Sequence, residues 1–157
     1  MIKTVLKIIF TTINWLITIA VVLAVIGMVV LPMFNIKPYI VLSGSMEPSI
    51  PTGSVAWIDV NDRDVTTGDV VAYLPESGSM YVTHRIVDEQ GERYVFKGDA
   101  NETVDLNTVG KNQIYGQYRF CVPGLGTFIN TLKNNPYYAI PILAAVIAVI
   151  LLENLVS

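Results

Sequence analysis

Two serines, one histidine and two aspartates stand where nucleophilic chemistry could be assembled. The segment Val41-Leu42-Ser43-Gly44-Ser45-Met46-Glu47-Pro48-Ser49-Ile50-Pro51 mixes small hydroxyls with glycine and proline. That composition makes a defined bend, and a bend frees backbone amides that can hold an oxyanion. A serine hydroxyl is a poor nucleophile until a base takes its proton. His84, the only histidine, is the residue type suited to that task near neutral pH. A carboxylate can hold such a histidine in the productive tautomer. The run Lys97-Gly98-Asp99-Ala100-Asn101-Glu102-Thr103-Val104-Asp105 supplies two candidates, Asp99 and Asp105. Taken singly, the pieces also read as a plain Ser/Gly/Pro loop, a structural histidine and an Asx turn. Lys97 is a rival base, provided burial lowers its pKa. The acidic run does not fit a helix–loop–helix calcium site, because Gly98 comes too early. One cysteine and one histidine exclude a Cys/His zinc cluster, and no cofactor is expected.

The elements that must position these residues read as short strands between turns. Tyr39–Leu42, Ser54–Val60, Val70–Leu74, Met80–Val87, Arg93–Lys97 and Ile114–Phe120 are strand-like, with turn chemistry at Pro51-Thr52-Gly53, Thr67-Gly68-Asp69 and Glu89-Gln90-Gly91-Glu92. The expectation is a mostly β domain, a small antiparallel barrel or sandwich of about six strands. Period-2 patterning does not choose between those shapes. Residues 128–132 read as a short helix.

Both ends are different in kind. Between Lys7 and Lys37 lie 29 uncharged residues, and between Lys133 and Glu153 another 19. A membrane-spanning helix needs roughly 20 mostly apolar residues, so the chain is expected to carry two transmembrane helices. The divisions are 8–36 for the first anchor, 37–133 for the β-rich domain and 134–152 for the second span. The first run exceeds the roughly 7–15 apolar residues of a cleavable leader, and Pro32 is placed at its helix end. Lys3 and Lys7 place the N-terminus inside and the central domain outside, a small bias on few charges. From Lys37 to Lys133 there are 12 acids and 8 bases, net −4, which disfavours nucleic acid as a partner. The lone Cys121 forms no intrachain disulfide and reads as a buried small hydrophobe. Asn101-Glu102-Thr103 matches a glycan acceptor.

In order and spacing, three boxes resemble the type I signal peptidases of the endoplasmic-reticulum-like class, found in archaea, some Gram-positive bacteria and as a eukaryotic catalytic subunit. The boxes are Ser45-Met46-Glu47-Pro48, Tyr81-Val82-Thr83-His84-Arg85-Ile86-Val87 and Lys97-Gly98-Asp99-Ala100-Asn101 with Asp105 beyond. The ordinary bacterial class has lysine where His84 stands. The resemblance covers roughly Val41 to Phe120. It implies a membrane-bound serine endopeptidase that removes signal peptides from exported preproteins after a small-x-small site. Ser45 would be nucleophile, His84 general base, and Ser43 an oxyanion-hole partner of the Ser45 amide. Asp105 best matches the acid that orients His84. Asp99 would take that role instead, or brace the loop and Arg85. Met46, Tyr81 and Val82 are candidates to line shallow substrate pockets. The implied partners are preproteins, the bilayer, and a secretion channel or accessory subunits. The implied location is the cell membrane, multi-pass, with the peptidase domain extracytoplasmic. In a eukaryote it would be the endoplasmic reticulum membrane. A non-catalytic scaffold with a β-rich external domain is the alternative, although a scaffold needs none of these residues.

Overall fold

A computed structural model describes residues 2–76 and 78–156, with side chains for 4–76, 78–149 and Leu151. The side chains of Lys3, counted above in the charge asymmetry, and of Leu152 lie outside these. The chain divides into two units, Met1–Val30 with Phe128–Ser157, and Leu31–Thr127.

In the first unit α1 (Ile2–Val25) continues through a π turn, Ile26–Val30, towards α2 (Leu31–Met33). Pro32 has no N–H to give the carbonyl four residues back, and its ring crowds that carbonyl. A widened turn just ahead of it relieves both problems. The helix stops at Met33, and Asn35 takes a left-handed φ of 61°, a common way to close a helix. Thr4–Met33 is 30 residues, and most of its apolar side chains are exposed, so they must be covered by lipid or another apolar surface. Among the described residues it is the one helix long and apolar enough to cross a membrane. After α3 (Leu125–Asn134) and a 3-10 turn at Pro136–Tyr138, α4 (Ala139–Val156) lies beside α1. Among the described residues there, Pro136–Val149 is an apolar stretch.

The second unit is one seven-stranded antiparallel sheet. Its strands are β1 (Ile36–Ile40), β2 (Val55–Asp59), β3 (Val70–Tyr73), β4 (Val82–Gln90), β5 (Arg93–Lys97), β6 (Val109–Gly110) and β7 (Ile114–Val122). They lie in the order β1-β2-β7-β3-β4-β5-β6. One sheet excludes a two-sheet sandwich, and the end strands β1 and β6 leave it open, so it is a half-barrel rather than a closed barrel. β6 is too short to show in a hydrophobic pattern. Register shifts at Trp57/Ile58, Ala72/Tyr73 and Ile86/Asp88 bend the strands that carry them.

Apolar side chains pack on both faces. Val71, Tyr73, Ile86, Phe96 and Ile114 share one cluster; Met46, Ile50 and Val70 form another. β3 is thus apolar along its whole length, because its alternate residues enter different clusters. Cys121, expected buried, is only partly so, and packs against the second cluster.

Phe96 is fully buried, stacked on Tyr73 with ring centres 4.4 Å apart and edge-on to Tyr94. Phe96→Ala is expected to cost about 3–5 kcal/mol through the cavity it leaves. Denaturant unfolding of the detergent-solubilised full chain measures it; a loss below about 1 kcal/mol contradicts this account of the core.

Candidate active site

Ser45 is held by its C-terminal neighbours. Met46 and Ile50 are 2% and 1% exposed, so they pull their loop onto the second apolar cluster and leave Ser45 half-exposed between them and solvent. Turn bonds from Glu47 N–H to the Gly44 carbonyl (3.0 Å) and from Ile50 N–H to the Met46 carbonyl (2.9 Å) hold the bend. The Glu47 carboxylate accepts from the Thr52 hydroxyl (2.7 Å) and amide (3.2 Å), which lowers its pKa and occupies it away from Ser45. The Ser43 and Ser45 hydroxyl oxygens are 3.5 Å apart.

His84 projects from β4 opposite Val71 and is 8% exposed. Its Nδ1 is 2.7 Å from Asp105 Oδ2. With the carboxylate ionised, Nδ1 carries the proton and donates, which leaves Nε2 as the basic nitrogen. Asp105 is fixed in turn by its own N–H on the Phe96 carbonyl, 2.8 Å away.

The two acids kept open by the sequence are therefore separated by geometry. Asp105 meets His84; Asp99 meets Arg85, in a bidentate pair at 2.8 and 2.7 Å. Arg85 also donates to the Gly68 carbonyl (2.8 Å), and Asp99 accepts from Ser49. Asp99 thus ties the acid loop to both β4 and the serine loop. The backbones touch as well. Ala100 N–H donates to the Ser45 carbonyl at 2.9 Å. A Cβ on Gly98 would lie 2.5 Å from that same carbonyl oxygen, so glycine is what allows the approach.

Ser43, Ser45 and His84 open on one cavity of about 610 Å³, with Met46, Tyr81 and Val82 in its wall. Lys97 pairs across the sheet with Arg85 and is not among the described residues lining the cavity. β1 has a single partner strand, and the register of β4 with β5 begins only at Arg85. The cavity therefore runs between Tyr39–Leu42, at the end of β1, and Tyr81–Thr83, at the start of β4, both with backbone edge to spare. Tyr39 and Tyr115, read from the sequence only as strand residues, add a wall of phenols whose hydroxyls are 2.6 Å apart. Burial first, and Tyr115 second, raise the Tyr39 pKa, so it stays protonated. Tyr73 was also missed. Its signal was a phenol in an otherwise apolar strand, since a buried tyrosine hydroxyl needs a partner; the partner is Asp105 Oδ2, at 2.8 Å.

A family model described as signal peptidase, peptidase S26, matches residues 12–119. The signal peptidase complex catalytic subunit SEC11 of Scheffersomyces stipitis is 28% identical over 127 residues, covering 73% of this chain and 76% of that protein. Signal peptidase I W of Bacillus subtilis is 39% identical over 84 residues, covering 50% of this chain and 44% of that one. SEC11 of Eremothecium gossypii is 31% identical over 111 residues, 62% of this chain and 66% of that protein. The chain thus spans less than half the length of the Bacillus relative.

The Arg85 hydrogen bonds hold the Asp99 pKa below the usual carboxylate value, against the opposing effect of burial. A lowered folded-state pKa means that the pair's contribution is fully present above the unfolded value, about 3.9. It is lost as pH falls through the folded value. Arg85 is about one-third exposed, so solvent screening discounts the pair to about 1–2 kcal/mol. Asp99→Asn should cost that much at pH 7 and cost progressively less below about pH 4. Thermal unfolding of both proteins across pH 3–7 checks it; a penalty independent of pH rules out the charge pair as its source.

Proposed function

The chain belongs to the peptidase S26 signal peptidases, and on that premise we propose that it removes signal peptides from exported preproteins by serine–histidine chemistry. The observation that carries this reading is that Ser45 and His84 share a cavity, while Asp105 occupies His84 Nδ1. Nε2 is then the nitrogen left to take a proton.

His84 Nε2 removes the Ser45 hydroxyl proton as Oγ attacks the scissile carbonyl. The Ser45 N–H and the Ser43 hydroxyl hold the oxyanion of the tetrahedral intermediate. The imidazolium, balanced by Asp105, returns its proton to the leaving amine, and the mature protein departs. Water then gives its proton to His84 and attacks the acyl-enzyme, which releases the signal peptide and restores Ser45. Asp99 takes no proton in this scheme; it braces Arg85 and the acid loop.

The preprotein lies extended along the cavity and pairs its backbone with the spare edges of Tyr39–Leu42 and Tyr81–Thr83. Met46, Val82 and the phenols leave room for small side chains at the first and third positions before the cut. Lys37, at the end of the charge-free run, is eight residues before Ser45, so the chemistry sits where a signal peptide leaves the lipid. α1 anchors the protein in the membrane and α4 crosses it as a second, short span. The peptidase domain faces the extracytoplasmic side. Because two relatives are named as subunits of a signal peptidase complex, accessory subunits are proposed partners.

The test is cleavage of a preprotein whose signal peptide ends in small-x-small, by detergent-solubilised full chain. One cut after that site is expected. Ser45→Ala and His84→Ala, with unfolding profiles like wild type, should each lower the rate by about 10⁴-fold or more. Cleavage by folded Ser45→Ala at the wild-type rate would sink the serine mechanism. Retained activity in His84→Ala but not in Lys97→Ala would assign the base to Lys97.

A further inference from the structure

We propose that Tyr73 is a positioning residue for the reaction: its hydroxyl pins Asp105 and so fixes the tautomer and orientation of His84. The proposal rests on the serine–histidine reading of the site. Two donors converge on a single carboxylate oxygen. Tyr73 Oη donates to Asp105 Oδ2 at 2.8 Å, and His84 Nδ1 lies 2.7 Å from the same atom. The tyrosine is itself immobile. It is 4% exposed, its ring stacks on Phe96, and it meets the His84 ring edge-on, 6.5 Å between centres. The register shift between Ala72 and Tyr73 against β7 is the type of irregularity that re-aims a side chain.

Asp105 needs such a restraint. Its side chain keeps 19% exposure and borders a second cavity of about 460 Å³ lined by Asn101, Thr103, Asn107 and Thr108 among others. A carboxylate with water within reach can turn towards it, and each turn frees His84 Nδ1. The phenol, which borders the same cavity, opposes that turn, because turning also breaks its own hydrogen bond to Asp105 Oδ2. Burial, and then Asp105, raise the Tyr73 pKa. The hydroxyl is therefore protonated, and a donor, at neutral pH. The ionisable groups facing the imidazole are Asp105 from the acid loop, Tyr73 from β3 and Ser45 across the cavity, with Asp99 acting on it through space and Arg85 adjacent on β4. Of these, Tyr73 is the one that controls where Asp105 points.

The experiment compares wild type, Tyr73→Phe and Tyr94→Phe as full chains in detergent. Tyr94 is the control, since it is a buried phenol of the same cluster whose hydroxyl donates to the Val65 carbonyl at 3.0 Å, away from the acid. Because His84 is the only histidine, ¹⁵N-histidine labelling gives one imidazole to follow by NMR. At a pH where the imidazole is neutral, wild type and Tyr94→Phe should show the tautomer that carries its proton on Nδ1. Tyr73→Phe should show averaged nitrogen shifts from mixed tautomers. In the cleavage assay Tyr73→Phe should lose about tenfold in kcat with KM unchanged, far short of the roughly 10⁴-fold expected for removing the charge with Asp105→Asn. Imidazole shifts and kcat in Tyr73→Phe that match Tyr94→Phe overturn the proposal, because the hydroxyl is then only a core hydrogen bond. If wild type cleaves no faster than Ser45→Ala, the serine–histidine reading has failed. The NMR comparison still decides whether Tyr73 sets the tautomer.

Discussion

The contact on which the rest of the site depends joins two backbones: the Ala100 N–H on the Ser45 carbonyl, with Gly98 passing beneath that carbonyl where no side chain fits. Ser45 and Ala100 are 55 residues apart in sequence, and each stands in a loop, the least restrained kind of backbone. Tying one loop to the other converts two adaptable segments into one. The position of Asp105, and through it of His84, is then referred to the same frame as the serine. Side-chain bonds reinforce the tie, since Asp99 reaches both Arg85 and Ser49, but they act on loops that the backbone has already brought together.

Burial supplies the other half of that frame. Met46 is the residue after the serine and is almost wholly enclosed. A large apolar side chain next to a nucleophile works as an anchor: its transfer from water, worth roughly 1.5–3 kcal/mol, holds the neighbouring backbone at a set height above the sheet. The same logic explains the phenols. Tyr73 combines a buried ring, and Tyr39 and Tyr115 half-buried ones, with a hydroxyl that finds a polar partner, so they make walls that are apolar in body and fixed at the tip.

Much of this was legible in the residues, and the failures have physical causes. β2, β3, β4, β5 and β7 fall on runs rich in Val, Ile and Tyr between Gly-bearing turns, where local composition and tertiary packing agree. Open sheet against closed barrel was not legible, because alternation records which face a residue takes and not which strand lies beside it. At the site, residue chemistry singled out Ser45, His84 and the pair Asp99 and Asp105. The assignment of one acid to His84 and the other to Arg85 needed coordinates, since both acids belong to one loop. Tyr73 and Tyr115 were passed over because a tyrosine in a strand is ordinary until its hydroxyl partner is known. The C-terminal run, expected to span, is helical from Ala139 to Val156, as its uncharged apolar composition leads one to expect.

The acid loop meets two consecutive residues of β4, and consecutive residues of a strand point to opposite faces of its sheet. Asp105 takes His84 on one face and Asp99 takes Arg85 on the other. The loop therefore works as a clasp closed over the strand, and the six-residue step from Asp99 to Asp105 is its jaw width, set by the thickness of a sheet. The number of residues between the two jaws is constrained from below, since one fewer would leave a jaw short of its face.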